Sequence, residues 1–175
     1  PIPAKKFVKT PDYQALFQSN FSKGGCVIGH TRLATNGSNG YIENNQPIYQ
    51  NEIICVQNGI LTNIDPIQHA ALDTYFILEL FEKLYHQNNH LPVTLKTLLN
   101  KIEGENNIIF HMPSESYLIL LTNTGSLYYV DDLANGLFFS ASEKYIIHQF
   151  IEQFHLDLNI RQLKPNQFLI FNYQK

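Results

Sequence analysis

The sequence has few cysteines, no long apolar run and no excess of basic residues. Its two cysteines, Cys26 and Cys55, are too few for a disulfide scaffold and form no Cys-x-x-Cys pair, so we expect a reducing, cytoplasmic compartment. No stretch approaches the roughly 20 apolar residues that span a bilayer. Lysine plus arginine number 12 against 15 for aspartate plus glutamate, and the charges are scattered. The sequence therefore predicts neither a membrane nor a nucleic-acid partner.

The composition is typical of a folded domain. Hydrophobic residues make up 44% of the 175 residues and charged residues only 15%, so the chain has enough apolar material for a core. The length predicts a single domain over residues 1–175. Residues 1–23 form a lead-in to this domain, with a short helix expected around Tyr13, Leu16 and Phe17.

Hydrophobic periodicity predicts helices and strands after this lead-in. Apolar residues recur at three- and four-residue intervals over 72–84 and 95–102, as in amphipathic helices. Ser140 and Glu143 form a Ser-x-x-Glu capping box, which predicts a third helix through residue 154. Hairpin turns are expected at Gly125, Asp131-Asp132 and Asn135-Gly136. Short apolar runs predict strands at 26–28, 53–56, 108–110, 117–121, 127–130, 137–139 and 168–171.

Several of these strands are apolar at consecutive positions, although their short connections make them antiparallel. An antiparallel sheet with one solvated face would instead alternate polar and apolar residues. Both faces of the strands must therefore be covered. The pattern predicts an α+β fold in which two antiparallel sheets pack on each other between outer helices.

The first candidate site residue is Arg32, which follows the predicted strand at 26–28 and enters a loop rich in glycine and asparagine. Its planar guanidinium can hold a carboxylate through two parallel hydrogen bonds. A loop at a strand end is also where a rigid scaffold presents such a group to a ligand. The alternative is a surface arginine beside an ordinary turn.

Two further polar positions have both a structural and a functional interpretation. Asn58-Gly59 could be a hairpin turn, or could offer a side-chain amide and a backbone N–H to a developing oxyanion. Asp73, at the start of the first long helix, could cap that helix, or its carboxylate could hold an ammonium group. Together with Arg32, these groups suit an α-amino acid whose side-chain amide is polarised.

The order of these residues resembles the class II glutamine amidotransferases, and in particular the glutaminase domain of glucosamine-6-phosphate synthase. The resemblance covers roughly residue 24 to the C terminus. The matching residues are Gly29-His30-Thr31-Arg32 with Ala34-Thr35 and Gly37, then Asn45-Gln46-Pro47, then Gln57-Asn58-Gly59-Ile60, then Asp73-Thr74.

The resemblance implies the four-layer αββα sandwich of the N-terminal-nucleophile hydrolases. It also implies hydrolysis of glutamine to glutamate and ammonia, with the ammonia passed to an acceptor such as a sugar. Arg32 would bind the α-carboxylate of glutamine, Asp73 its α-amino group, and Thr35 would line the pocket. Asn58 and Gly59 would form the oxyanion hole. The implied partners are L-glutamine and a synthase or acceptor domain or subunit, with no metal and no organic cofactor.

One departure from the family concerns the nucleophile, a cysteine at the extreme N terminus whose own α-amino group serves as the base. This sequence begins with Pro1. Cys26 and Cys55 fall in predicted strands, where we expect small buried hydrophobic side chains. We therefore expect either that the catalytic segment lies upstream of this sequence, or that the domain binds an amino acid or a protein partner without catalysis.

Overall fold

The computed structural model of the protein describes residues 4–20, 25–31, 45–63 and 73–173. The helices in these ranges are α1 (Ala4–Phe7), α2 (Pro11–Asn20), α3 (Asp73–Asn88), α4 (Leu91–Leu99) and α5 (Lys144–Gln153). The strands are β1 (Ile48–Gln50), β2 (Ile53–Leu61), β3 (Gly104–Met112), β4 (Tyr117–Thr122), β5 (Tyr128–Asp132), β6 (Leu137–Ala141), β7 (Arg161–Gln162) and β8 (Gln167–Asn172). Two short 3-10 turns are Pro113–Glu115 and Leu133–Asn135.

The described strands form two antiparallel sheets. The first sheet has five strands in the order β1-β2-β3-β4-β8, and the second has three in the order β6-β5-β7. Within the first sheet, β2 pairs with β3 in an unbroken register from Ile54 opposite His111 to Leu61 opposite Gly104. The short strand β1 pairs only with the beginning of β2, ending at Ile48 opposite Cys55.

The two sheets pack between two helical layers. Helices α3 and α4 contact β1, β2 and β4 of the first sheet, and α5 contacts β5 and β6 of the second. The sheets meet through a small apolar cluster of Leu120, Leu127 and Leu163, against which Leu118 and Phe138 pack. The layers therefore follow the predicted order of helix, sheet, sheet and helix, and the predicted fold class is confirmed.

Strand β4 shows why the strands are apolar at consecutive positions. Ile119 and Leu121 are fully buried in the core beneath α3 and α4, whereas Leu120 is fully buried between the sheets. Successive side chains of a strand point to opposite faces, so both faces of β4 are covered. Burying one leucine side chain stabilises a protein by about 1.5–3 kcal/mol. Both faces of the strand thus contribute to stability.

The predicted helices are found close to their expected positions. The patterns at 72–84 and 95–102 correspond to α3 and α4, although α4 ends at Leu99 and Gly104 begins β3. The helix expected in the lead-in corresponds to α2. In the part of the chain that the structure describes, no helix has the length and apolar character needed to cross a membrane.

The strand predicted at 26–28 is absent from the described segment 25–31, which contains neither helix nor strand. None of the described strands pairs with this segment, and a strand is stable only with such a neighbour. Cys26 is exposed, so the expectation that it is a buried hydrophobic side chain is wrong. Cys55, by contrast, is fully buried in β2, as expected.

Two predictions in the second half of the chain, a helix start and a hairpin turn, are also wrong. Helix α5 begins at Lys144 with Glu143 as its N-cap residue, because Ser140 lies within β6 and pairs with Tyr129. Gly125 is not a hairpin turn, because β4 and β5 belong to different sheets and the chain crosses between them there.

The turn between β5 and β6 was predicted in part. The pair Asp131-Asp132 lies within β5 and does not form a turn. Asn135-Gly136 does end the 3-10 turn between the two strands, and Gly136 adopts a left-handed conformation with φ +67°. The predicted loop rich in glycine and asparagine that Arg32 enters lies outside the described residues.

Candidate active site

Asn58 and Gly59 lie inside strand β2 rather than in a turn. The strand continues to Leu61, and the pairing with β3 places Asn58 opposite Asn107 and Gly59 opposite Asn106. The hairpin interpretation of this pair is therefore wrong. Long-range pairing with β3 outweighs the local turn preference of an Asn-Gly sequence.

The backbone geometry at position 59 requires glycine. Gly59 has a φ of +141°, which residues with a side chain rarely adopt. A Cβ atom at this position would overlap the carbonyl oxygen of Glu105 on β3. The two strands therefore approach each other too closely here for any side chain.

The backbone N–H of Gly59 lies on the edge of β2 that faces away from β3. Two other N–H groups on this edge donate to side chains. Gln57 N–H donates to Gln46 Oε1 at 2.5 Å, and Leu61 N–H donates to Asp73 Oδ2 at 2.9 Å. Because N–H groups two residues apart in a strand point in the same direction, that of Gly59 lies between these two on the same edge.

The pairing on the other side of β2 agrees with this direction. The carbonyl of Asn106, which is opposite Gly59, accepts a 3.1 Å hydrogen bond from Asn123 N–H and so points toward β4. Strand β1 has already ended by this point, since its pairing stops at Cys55. None of the described residues accepts a hydrogen bond from Gly59 N–H. Within the described ranges, this backbone donor of an exposed residue thus has no protein acceptor.

Asp73 is brought to the same end of β2. It is the first residue of α3 and is partly buried, and its Oδ2 atom is bonded to Leu61, two residues beyond Gly59. Among the described hydrogen bonds, this carboxylate bonds to β2 and not to the backbone of its own helix. These bonds therefore do not support a capping role for Asp73, and they attach its carboxylate to β2 two residues beyond Gly59.

The side chain of Asn58 lies on the face of the first sheet that packs toward the second sheet, and the residue is exposed. Its backbone carbonyl accepts a 3.4 Å hydrogen bond from Asn107 Nδ2. Asn107 Oδ1 in turn accepts from the hydroxyls of Thr122 (2.6 Å) and Thr124 (3.0 Å). This polar row, which we did not predict, supports the backbone of Asn58. The polar Asn106-Asn107 pair directly before the apolar run at 108–110 was its signal in the sequence.

A second polar group that we did not predict lies on the opposite face, beneath α3. Gln57, Thr74 and Asn106 are 4%, 1% and 0% exposed. Thr74 Oγ1 donates to Gln57 Oε1 at 3.1 Å, and Gln57 Nε2 donates to Asn106 Oδ1 at 2.8 Å. A glutamine within a buried apolar strand was the sequence signal for this group.

Two of the predicted substrate-binding residues, Arg32 and Thr35, lie outside the described residues. Their roles toward the α-carboxylate and the pocket wall therefore remain predictions. The hydrogen bond from Leu61 N–H attaches Asp73 to the strand that carries Asn58 and Gly59, and the roles of these three residues also stay predictions.

Neither cysteine has the properties of an activated nucleophile. Desolvation raises the pKa of the fully buried Cys55 thiol and, to a smaller extent, that of Cys26. A cysteine nucleophile reacts as the thiolate, which a raised pKa disfavours at neutral pH. In the described ranges, no group of three or more histidine, cysteine, aspartate or glutamate residues is arranged to hold a metal ion.

Two solved structures share this arrangement of helix, sheet, sheet and helix. Glutamine phosphoribosylpyrophosphate amidotransferase of B. subtilis, solved with ADP and GMP, is similar to this chain with a TM-score of 0.60 and 20% identity. A second structure, described as the allosteric regulatory enzyme of purine biosynthesis, has a TM-score of 0.58 and 22% identity. No protein-family model and no curated protein match the sequence.

In both cases the similarity covers 82% of this chain and 32% of the other. The chain thus spans about a third of the length of each enzyme. At these identities the similarity establishes the shared fold. The two structures do not support the particular resemblance to glucosamine-6-phosphate synthase.

Proposed function

We propose that this chain is the glutaminase domain of a glutamine-dependent amidotransferase. The observation that carries the proposal is the N–H of Gly59, which has no acceptor among the described residues and lies between the N–H groups that donate to Gln46 and Asp73. The fold that the chain shares with glutamine phosphoribosylpyrophosphate amidotransferase supports the same function. L-glutamine is the proposed substrate.

In this proposal each site group recognises one part of glutamine. Asp73 accepts hydrogen bonds from the α-ammonium group, Arg32 holds the α-carboxylate through its planar fork, and Thr35 lines the pocket. The N–H of Gly59 and the side-chain amide of Asn58 donate to the oxygen of the scissile amide. These donors bind most strongly when that oxygen becomes negative in the tetrahedral intermediate.

The reaction requires a thiolate that attacks the amide carbon. The carbon–nitrogen bond then breaks, ammonia leaves with a proton from the catalytic base, and a thioester remains. Water hydrolyses the thioester to glutamate and regenerates the thiol. We assign the nucleophile to an N-terminal cysteine upstream of this sequence, because the proposed mechanism uses the α-amino group of the nucleophile as the base and Cys26 and Cys55 are internal residues.

The position of Gly59 N–H between the N–H groups bonded to Gln46 and Asp73 also favours a second candidate function. Without an upstream cysteine, the domain would bind glutamine, another amino acid or a protein partner, and would not hydrolyse the amide. Intact mass spectrometry of the protein from its native source distinguishes the two. A mass above 20.2 kDa together with an N-terminal cysteine supports the glutaminase, and a mass of 20.2 kDa supports the binding module.

We propose a phosphorylated sugar as the acceptor of the ammonia. The amino-sugar branch suggested by the sequence and the phosphoribosylpyrophosphate enzyme with the shared fold both act on such compounds. The acceptor site would lie in a synthase domain or partner subunit. The glutaminase chemistry needs no metal and no organic cofactor, and we place it in the cytoplasm.

Calorimetric titration of the purified chain with L-glutamine tests the proposal. We expect saturable binding of L-glutamine and much weaker binding of D-glutamine, whose α-ammonium and α-carboxylate exchange places relative to the side chain. L-glutamate is the control for the side-chain amide. Absence of L-glutamine binding would contradict the proposed function.

A further inference from the structure

A buried hydrogen bond joins the neighbours of the two site elements. Thr74 directly follows Asp73 on α3, and Gln57 directly precedes Asn58 on β2. The hydroxyl of Thr74 donates to Gln57 Oε1 at 3.1 Å, and both residues are almost fully buried. The bond therefore lies one residue away from each of the two groups that face the substrate.

Gln57 is a polar side chain in a row of β2 that otherwise faces the apolar core. Its neighbours in that row, Cys55 and Leu61, belong to the cluster beneath α3 and α4. A buried amide is costly unless its donors and acceptors are satisfied. Here the Oε1 atom accepts from Thr74 and the Nε2 atom donates to Asn106. An apolar side chain would fill this space without needing such partners, which points to a role beyond packing.

Two hydrogen bonds together attach the start of α3 to β2. One joins Thr74 to Gln57, and the other joins Asp73 to Leu61. On β2 the two attachment points lie two residues before and two residues after Gly59. A two-point attachment fixes both the position and the rotation of the first turn of α3 relative to the backbone N–H of Gly59.

We propose that Thr74 and Gln57 are positioning residues that hold the Asp73 carboxylate at a fixed place relative to Asn58 and Gly59. This inference rests on the proposed function. Through this bond, the ammonium-binding group and the oxyanion donors keep a fixed separation. Misplacement by about 1 Å can reduce catalysis about 10²-fold, so such a restraint affects turnover as well as binding.

The test compares two ligands that differ at the group held by Asp73. L-glutamine and 4-carbamoylbutanoate, which is glutamine without its α-amino group, are titrated against the parent chain and Thr74→Val. We expect the variant to lose roughly three- to tenfold in preference for L-glutamine over the analogue, the effect of one neutral hydrogen bond. Thr74→Ser, which keeps the hydroxyl, should restore the preference of the parent.

The matched control is Thr94→Val, which removes a fully buried threonine hydroxyl from α4, away from the site. It should lower the thermal midpoint and leave the ligand preference unchanged. If Thr74→Val does not fold, Gln57→Met gives the same measurement from the side of β2.

An equal loss of affinity for both ligands in the Thr74 or Gln57 variant, or no loss for either, would overturn the positioning role. Failure of the parent chain to bind L-glutamine would instead overturn the proposed function, and this inference with it. The two failures are distinguished because the first is measured in the Thr74 or Gln57 variant and the second in the parent chain.

Discussion

The carboxylate of Asp73 accepts a 2.9 Å hydrogen bond from the backbone N–H of Leu61, so the first residue of α3 is tied to the strand that carries Asn58 and Gly59. The contact spans 12 residues of sequence and brings two candidate site elements to one strand end. It also occupies one carboxylate oxygen and orients the group. A carboxylate oriented in this way is suited to receive an ammonium group from a ligand.

Replacing Asp73 with asparagine should weaken L-glutamine binding and change stability little. The amide oxygen can still accept from Leu61 N–H, but the negative charge that would hold the α-ammonium group is gone. We expect a loss of about 1.5–3 kcal/mol in binding, the range for a hydrogen bond to a charged group. Calorimetry measures this loss, with the exposed Asp157→Asn as the matched control. Equal affinity in Asp73→Asn and the parent would refute the ammonium-binding role.

Gly59→Ala should destabilise the fold more than alanine at another glycine with positive φ. Backbone strain of about 1–3 kcal/mol adds here to the overlap with the Glu105 carbonyl, so the loss should reach roughly 3 kcal/mol. At Gly136 the conformation is left-handed but the surrounding space is open, and Gly136→Ala should cost roughly 1–2 kcal/mol. Urea denaturation measures both values. Similar losses in the two variants would mean that the close approach of β2 and β3 has no energetic importance.

The residues that could be predicted from the sequence are those with a local signal. The helix beginning at Asp73 follows from its periodicity, and the layered fold follows from strands that are apolar at consecutive positions. Asn58, Gly59 and Asp73 could be proposed as site residues because each belongs to a short motif, and their roles stay predictions. The hydrogen bond from Leu61 to Asp73 attaches Asp73 to the strand that carries the other two.

The features that sequence reasoning missed depend on contacts between distant residues. Gln57 bonds to Thr74 and Asn106, which lie 17 and 49 residues away, and no local pattern indicates either bond. The same explanation covers the errors. The pairing of β2 with β3 overrode the turn preference of Asn58-Gly59, and the pairing of β6 with β5 placed Ser140 in a strand instead of a helix cap.

Arg32→Ala should remove the carboxylate-binding fork. We expect a loss of roughly 2–5 kcal/mol in L-glutamine binding, the scale for truncating one partner of a buried charge pair. Arg161→Ala is the matched control, because the other arginine of the chain forms an exposed ion pair with Asp131 at 3.1 Å. Unchanged calorimetric affinity in Arg32→Ala would remove Arg32 from the site.

Stability should decrease on the acid side because of His111. Burial lowers the pKa of this histidine, and its Nε2 atom lies 3.0 Å from the Tyr173 hydroxyl. Below about pH 6.5, the unperturbed value, the unfolded chain therefore binds more protons at this position than the folded one. The free energy of unfolding should be highest above that pH and fall as the pH drops toward the lowered pKa.

Urea denaturation over a series of pH values checks this prediction. His111→Gln should flatten the acid-side decrease, whereas His148→Gln, at an exposed position, should retain it. A decrease of the same steepness in the parent and His111→Gln would show that other groups cause it.

Asn58→Ala separates the oxyanion function from ground-state binding. The Asn58 amide is proposed to donate to an oxygen that becomes negative only as the nucleophile attacks. In the proposed glutaminase with an N-terminal cysteine, turnover should therefore slow by about 10²- to 10³-fold while L-glutamine affinity changes little. Ammonia release measures the first quantity and calorimetry the second. Asn63→Ala is the control, because that side chain bonds to the backbone of Lys101 and Glu103 and should affect stability alone. Turnover equal to the parent in Asn58→Ala would leave Gly59 N–H as the oxyanion donor and remove Asn58 from the catalytic group.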